Sequence, residues 1–306
     1  MSRSWTDSFA GARRSGFSGG LEIGRDVVRY VEIESKAGRS RICSMSSARI
    51  DAPLFEAEPT AANGKAIADA VARVAGTTRN RYLPLHVCVP DPLVRTAIFE
   101  LEELPKNADA RTALAKFRLQ RDLPSQECEY RTEALGALDN GKQLLLGMAM
   151  SSAWCRAVIE ALQTQGIVAW SLTGRLTRLL NALSGNLSGT NGVLICGMDD
   201  SWALAAFDSQ GRLRYVRSQW STASLTPSAI AAEAQRAILA YVHQDANRSV
   251  EKICLFTPGG QVDLATEINA RLDEPCHPLT PAEFAVDSPD GRPLLEYSAA
   301  LAAALQ

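Results

Sequence analysis

The sequence predicts an α/β fold of two similar lobes. Three observations carry that reading. β-branched and aromatic runs are joined by short turns, a β-β-β-α-β order begins near residue 21, and the same order returns near residue 192. A segment of different character separates the two copies.

In the first copy, GLEIGRDVVRYVEIE reads as two strands around a tight turn at Gly24, Arg25 and Asp26. Leu21, Ile23, Val27, Tyr30, Val31 and Ile33 supply the β-forming side chains. RSRICSMSSARI continues as a third strand and completes an antiparallel meander. Residues 61–75 place Ile67, Val71 and Val74 on one helical face. LPLHVCVP is a short buried strand bounded by prolines.

The middle begins with the strand VRTAIFELEELP. A helix follows in DARTALAKFRLQRDLP, with Asp109 as its N-cap and a stop before Pro124. Strands over 129–138 and 142–150 flank the turn Asp139-Asn140-Gly141. A helix over 153–165 runs into Gly166, which suits the left-handed residue after a helix end. Then come a short strand in GIVAWSL and a helix over 175–183. SGNLSGTNG reads as a linker of small polar residues.

The second copy opens with GVLICGMDD, SWALAAFDS and GRLRYVRSQW, turning at Met198-Asp199-Asp200 and at Ser209-Gln210-Gly211. A helix over 227–244 starts with Pro227, where a missing N–H is harmless. The strand KICLF, a glycine-containing turn over 257–260, a helix over 262–272 and a last helix over 293–305 finish the chain.

Composition narrows the function. The 306 residues are 46% hydrophobic with a formal net charge of −2, which fits a packed core and no nucleic-acid footprint. Seven cysteines show no CxxC, and Cys88, Cys196 and Cys254 sit in apolar runs, as expected for free thiols in a reducing compartment. His86, His243 and His277 form no ligand pattern, so no metal site is expected. No apolar run approaches the length of a membrane span. Residues 1–19 read as a disordered tail, with Trp5, Phe9 and Phe17 beside Arg3, Arg13 and Arg14 leaving a surface-docking segment as the second reading. A cytoplasmic protein is expected. GxSxG, GxGxxG, Walker and HExxH patterns are missing, and Cys128 and Cys155 lack a basic neighbourhood.

Several segments carry a family resemblance. GLEIGRDVVRYVEIE resembles the opening of the PilM family of type IV pilus assembly proteins, with Gly20, Ile23, Gly24, Val28, Arg29, Val31 and Glu32 in its frame. ALAKFRLQRDLPSQECEYR is similar to that family's helix leading through Ile-Pro to a strand. GVLICGMDDSWALAAFDSQGRLRYVRSQ resembles its second phosphate hairpin, and IAAEAQRAILAYV the helix after it. LFTPGGQVDLATEINARLDEPCHPLTP is similar to the adenosine segment, and LEYSAALAAAL to the terminal helix. Over about residues 20–306 the chain thus looks like a PilM/MshI-like protein of the MSHA type, with the cytoplasmic region of GspL as a near relative.

The resemblance implies an actin/Hsp70/FtsA-like two-lobed fold: a first lobe over 20–91, a small inserted α+β subdomain over 92–171, and a second lobe over 172–306 whose C-terminal helix returns to the first. It also implies two hairpins that contact nucleotide phosphates across a cleft. Hydrolysis there needs a carboxylate in each hairpin and small residues beside the phosphates. Here Glu22 stands for the family's Asp and Arg25 for its small Ser. In the second hairpin the Asp position falls on Cys196, and the glycine is displaced to Gly197. Asp199 and Asp200 lie in the turn, where a solvated turn is the plainer reading. Thr257 and Pro258 replace adenosine-turn glycines, and Gly259 and Gly260 remain. If a nucleotide binds, the candidates are Glu22, Gly24, Arg25, Arg29, Gly197, Asp199, Gly259 and Gly260, with ATP/Mg the one cofactor considered; weak or absent hydrolysis is expected, and binding no nucleotide at all is the alternative.

The function implied is a pilus-platform scaffold, a pseudo-ATPase that binds the cytoplasmic tail of a PilN-like bitopic inner-membrane protein. Other platform components and self-association are further partners. The tail's groove would run between first lobe and insert, along residues 90–99 and 113–123. The alternatives are an active ATPase or sugar kinase of the same fold, or a GspL-like secretion component.

Overall fold

The computed structural model describes residues 16–51, 53–76, 85–120, 127–187, 189–198, 200–220, 226–244, 248–257, 262–284, 286–287 and 294–305. Strands β1 (Gly16–Ile23), β2 (Val27–Lys36) and β3 (Arg39–Arg49) form an antiparallel meander. Helix α1 (Ala61–Ala75) follows, and β4 (Leu85–Val89) lies parallel to β1. The Thr60 hydroxyl and the Asn63 side chain close a reciprocal box at the start of α1, and Ile67, Val71 and Val74 turn inward.

The insert has its own sheet. Strands β5 (Val94–Leu101), β6 (Cys128–Ala137) and β7 (Gln143–Ser151) pair antiparallel in the order β5-β7-β6. Helix α2 (Ala108–Leu119) covers one face and packs Ala115 and Leu119 on Phe99, Leu145 and Ala149. The chain then rejoins the first lobe. Helix α3 (Ser152–Thr164) packs Trp154, Val158 and Leu162 into the core that holds Ile67 and Val71. Strand β8 (Ala169–Gly174) runs parallel to β4. The insert's sheet spans 94–151, with Leu135, Leu144 and Leu146 on the core shared with the second lobe, while α3 packs its apolar stripe on the first lobe.

Helix α4 (Arg175–Leu187) leads to the second copy: β9 (Gly192–Gly197), β10 (Ser201–Phe207), β11 (Leu213–Trp220), α5 (Pro227–Val242) and β12 (Lys252–Phe256). As in the first copy, the opening strand lies between an antiparallel hairpin partner and a parallel strand. Helix α6 (Val262–Asn269) and β13 (Cys276–Pro278) extend this lobe, giving the sheet order β11-β10-β9-β12-β13. Strand β14 (Val286–Asp287) crosses back to pair with β3, so the first sheet reads β14-β3-β2-β1-β4-β8.

Helix α7 (Ser298–Ala304), entirely buried, lies across β1, β2 and β4 and against α4. Its alanines let the helix backbone approach the sheet closely. A Cβ on Gly20 would sit 1.8 Å from the Ala300 carbonyl oxygen, and the Ser18 hydroxyl donates to the Ala304 carbonyl at 2.5 Å. Only glycine fits that position in β1.

Four local expectations change. Residues 17–19, expected in the tail, are strand: Phe17, Ser18 and Gly19 pair with Glu34, Ile33 and Glu32. The Ser18 hydroxyl is held by the helix that covers β1. The cap of α2 is Asn107, which accepts from the Ala110 N–H at 2.7 Å, rather than Asp109. The predicted linker starts too early, since α4 runs on to Leu187, which continues the buried stripe of Leu176, Leu179, Leu180 and Leu183. The last helix opens with a 3-10 turn over Leu294–Tyr297 and is α-helical only from Ser298. Among the described residues no helix is long and apolar enough to cross a membrane.

Candidate functional site

The β1–β2 and β9–β10 turns face each other where the lobes meet. The first turn closes with the Gly24 N–H donating to the Val27 carbonyl at 2.8 Å. Glu22 sits one step before it, fully buried, opposite Arg29 in the strand register and 3.4 Å from its guanidinium. From the second turn, Asp200 accepts the Arg25 N–H at 3.2 Å, a direct link between the lobes. The Arg25 side chain turns outward to Glu56.

The centre is filled by Arg175, the first residue of α4, which is 2% exposed. Its Nε lies 2.8 Å from Glu22 Oε1. Its Nη1 and Nη2 donate to Asp200 Oδ1 and Oδ2 at 2.6 and 3.1 Å, the two-pronged geometry in which guanidinium and carboxylate match best. The Ser201 hydroxyl adds a bond to Asp200 Oδ1 at 2.8 Å. One cation thus ties a strand of the first lobe to a turn of the second. Gly24 makes room for it, since a Cβ there would stand 2.9 Å from Arg175 Nη2.

Asp91, just after β4, holds α4 in place. Its Oδ1 accepts the Leu176 N–H at 2.7 Å, and a Cβ on Gly174 would come within 2.6 Å of that oxygen. This carboxylate serves the start of α4 as a cap supplied from elsewhere in the chain. Burial pushes the Asp91 carboxyl up to about 7, against the Leu176 N–H and Arg175. Burial would also raise Asp200, but Arg175, Ser201 and the Arg25 N–H bring it below the usual carboxylate range. Arg175 is held above its ordinary value by Glu22 and Asp200 in spite of burial.

The sequence candidates divide into three groups. Glu22, Gly24, Arg25 and Arg29 do converge here. Gly197 instead faces the second lobe's interior, where a Cβ would meet Leu264 at 3.0 Å and Thr257 at 3.3 Å. Asp199, Gly259 and Gly260 lie outside the described residues. Asp200 is buried and paired, not part of a solvated turn. Cys196 is a core residue between Ala203 and Phe256, with its thiol raised by burial. Sequence reasoning missed Arg175 and Asp91. A signal did exist: a cation at the first position of a helix opposes the helix dipole and needs anions from elsewhere.

Among the described residues, the space between the two carboxylates does not fit a magnesium-nucleotide group. The guanidinium occupies the space between the two carboxylates. A cavity of about 10 Å³ nearby, room for one water, lies between α4, the insert and β11, lined by Asp91, Thr96, Leu146, Gly174, Leu180 and Val216. Among the described residues no group of three His, Cys, Asp or Glu side chains could hold a metal ion.

A larger groove, about 710 Å³, opens between α1 and α3. Gly64, Ala68 and Ala157 line its floor, with Lys65, Asp69 and Glu160 among its charged residues. Along the lining expected at residues 90–99 and 113–123, Pro90, Phe99, Ala115 and Leu119 are buried, Arg95, Lys116 and Phe117 are exposed, and residues 121–126 lie outside the described set.

No family model and no curated protein matches this chain. Solved structures do. The chain is similar to a structure described as the PilM-PilN type IV pilus biogenesis complex, at 18% identity and a TM-score of 0.77, covering 96% of this chain and 98% of that one. It is similar to a Bacteroides thetaiotaomicron protein with an actin-like ATPase fold, at 11% identity and a TM-score of 0.53, covering 94% and 96%. It is also similar to the ethanolamine utilization protein EutJ from Carboxydothermus hydrogenoformans, at 7% identity and a TM-score of 0.50, covering 95% and 90%. The chain has the actin-like ATPase fold.

Proposed function

We propose that this protein is a scaffold of a type IV pilus assembly platform, of the MSHA type, that binds the cytoplasmic tail of a PilN-like bitopic inner-membrane protein. It works in the cytoplasm and meets the membrane through its partners. The end-to-end likeness to the PilM-PilN complex carries this reading. The protein-filled hub supports a scaffold over a motor, because among the described residues the Arg175 guanidinium takes up the space between Glu22 and Asp200. The groove between α1 and α3 lies where the insert's last strand hands back to the first lobe, and it suits a short tail with apolar side chains at its centre and charges at its rim.

The test is titration calorimetry with a synthetic peptide of the PilN-like tail from the same organism. Wild type binds it. Gly64→Trp does not, because a side chain at Gly64 projects into open space and fills the groove without touching the core. Equal binding by both places the tail elsewhere, and no binding by wild type removes the PilN-like partner. An active ATPase or sugar kinase of the same fold, the rival reading, requires Mg-ATP to raise the melting temperature. A site with a Kd near 10 µM would add about 2.7 kcal/mol at a hundredfold excess of nucleotide.

A further inference from the structure

We propose that Arg175 is the permanent occupant of the inter-lobe cleft, a side-chain cation that locks the two lobes closed without nucleotide or metal. Three observations converge on this. The guanidinium is 2% exposed and reaches Glu22 on one lobe and Asp200 on the other. Its backbone is fixed by Asp91 through the Leu176 N–H, so the side chain starts from an anchored point. Gly24 and Gly174 both lack the Cβ that would collide with this arrangement. The Arg25 N–H then donates to the Asp200 carboxylate already held by Arg175, so the turns register on each other.

The consequence is a molecule with one resting state. A hinge between lobes normally moves when a ligand binds one arrangement better than another. Here the differential contact is covalently part of the chain, so its effective concentration never changes. The inference stands on this geometry and does not depend on which partner binds the outer surface.

Hydrogen exchange read at the two turns tests it. In wild type the amides of Gly24 and Arg25 are protected, and millimolar Mg-ATP leaves them unchanged. Arg175→Met loses that protection by about 100-fold, while the β6–β7 hairpin of the insert keeps its own. In Arg175→Ala, which leaves the vacated volume open, millimolar methylguanidinium restores protection, and sodium at the same ionic strength does not. If the Met variant does not fold, Arg175→Lys is used: its single ammonium cannot span both carboxylates, and the turns lose protection. Mg-ATP that changes turn exchange in wild type overturns the proposal, since it would have to displace Arg175. Unchanged turn protection in a folded Met or Lys variant overturns it as well.

Discussion

Two sets of ion pairs join separate parts of this molecule, built from the same residue types in opposite surroundings. At the hub, Glu22, Arg175 and Asp200 are 0, 2 and 8% exposed. At the rim, Glu100 of the insert takes Arg214 at 2.7 Å and Arg248 at 3.0 Å, while Arg212 spans Asp208 at 2.7 Å and Asp139 at 3.4 Å. The Glu100 and Asp139 side chains there are 32 and 81% exposed. A Glu100 or Asp139 carboxylate left alone at the rim is rehydrated, although the arginines there are only 12 to 13% exposed. A charge left alone at the hub is stranded, which is why removal of one buried partner is so much costlier than the pair's net contribution. The hub therefore fixes the lobes as a unit, and the rim adjusts how the insert leans on β11.

Substitutions separate the two sets by magnitude. Arg175→Met should lower unfolding stability by about 3–5 kcal/mol in denaturant titration, leaving two buried carboxylates uncompensated. Restoring most of that loss with Glu22→Leu and Asp200→Leu in the same chain would show that the penalty is desolvation. Asp91→Asn comes next and has the opposite sign. The Asp91 carboxyl is raised to about 7 by burial, so its contribution is complete below its ordinary value and is lost as pH rises through 7. Asn keeps an acceptor for the Leu176 N–H without the charge. The variant should be more stable than wild type at pH 8, by at most on the order of 4 kcal/mol, with the difference vanishing in acid. Equal pH profiles would place Asp91 outside the titrating set. Gly24→Ala should cost about 1–3 kcal/mol by pushing the guanidinium aside, with the rim unaffected. Glu100→Gln should cost under about 1 kcal/mol, and that small effect should fade as salt is added.

Much of the fold was legible. Runs of β-forming residues around Gly24 and again around Asp200 marked the hairpins, and Ile67, Val71 and Val74 marked α1. Boundaries failed where polar or small residues do packing work. Ser18 read as tail but bonds α7, and residues 184–187 read as linker but extend α4. The hub was only half legible. Glu22, Gly24 and Arg25 came from one local motif, but Arg175 lies 25 residues before Asp200 and in another element from Glu22. Its role appears only when two separate sheets close on it. The groove between α1 and α3 was hidden for a similar reason: alanines on two helices remote in sequence carry no local signal.

The contact between Gly20 and Ala300 sets an order on synthesis. Strand β1 leaves the ribosome well before the helix that covers it, with the insert and the second lobe made in between. The first sheet emerges early and cannot be sealed until translation reaches residue 304, while the second lobe has all of its own strands by residue 278. Domains usually settle from the N-terminus onward as they are made. In this protein the first lobe to be made is the last to be finished.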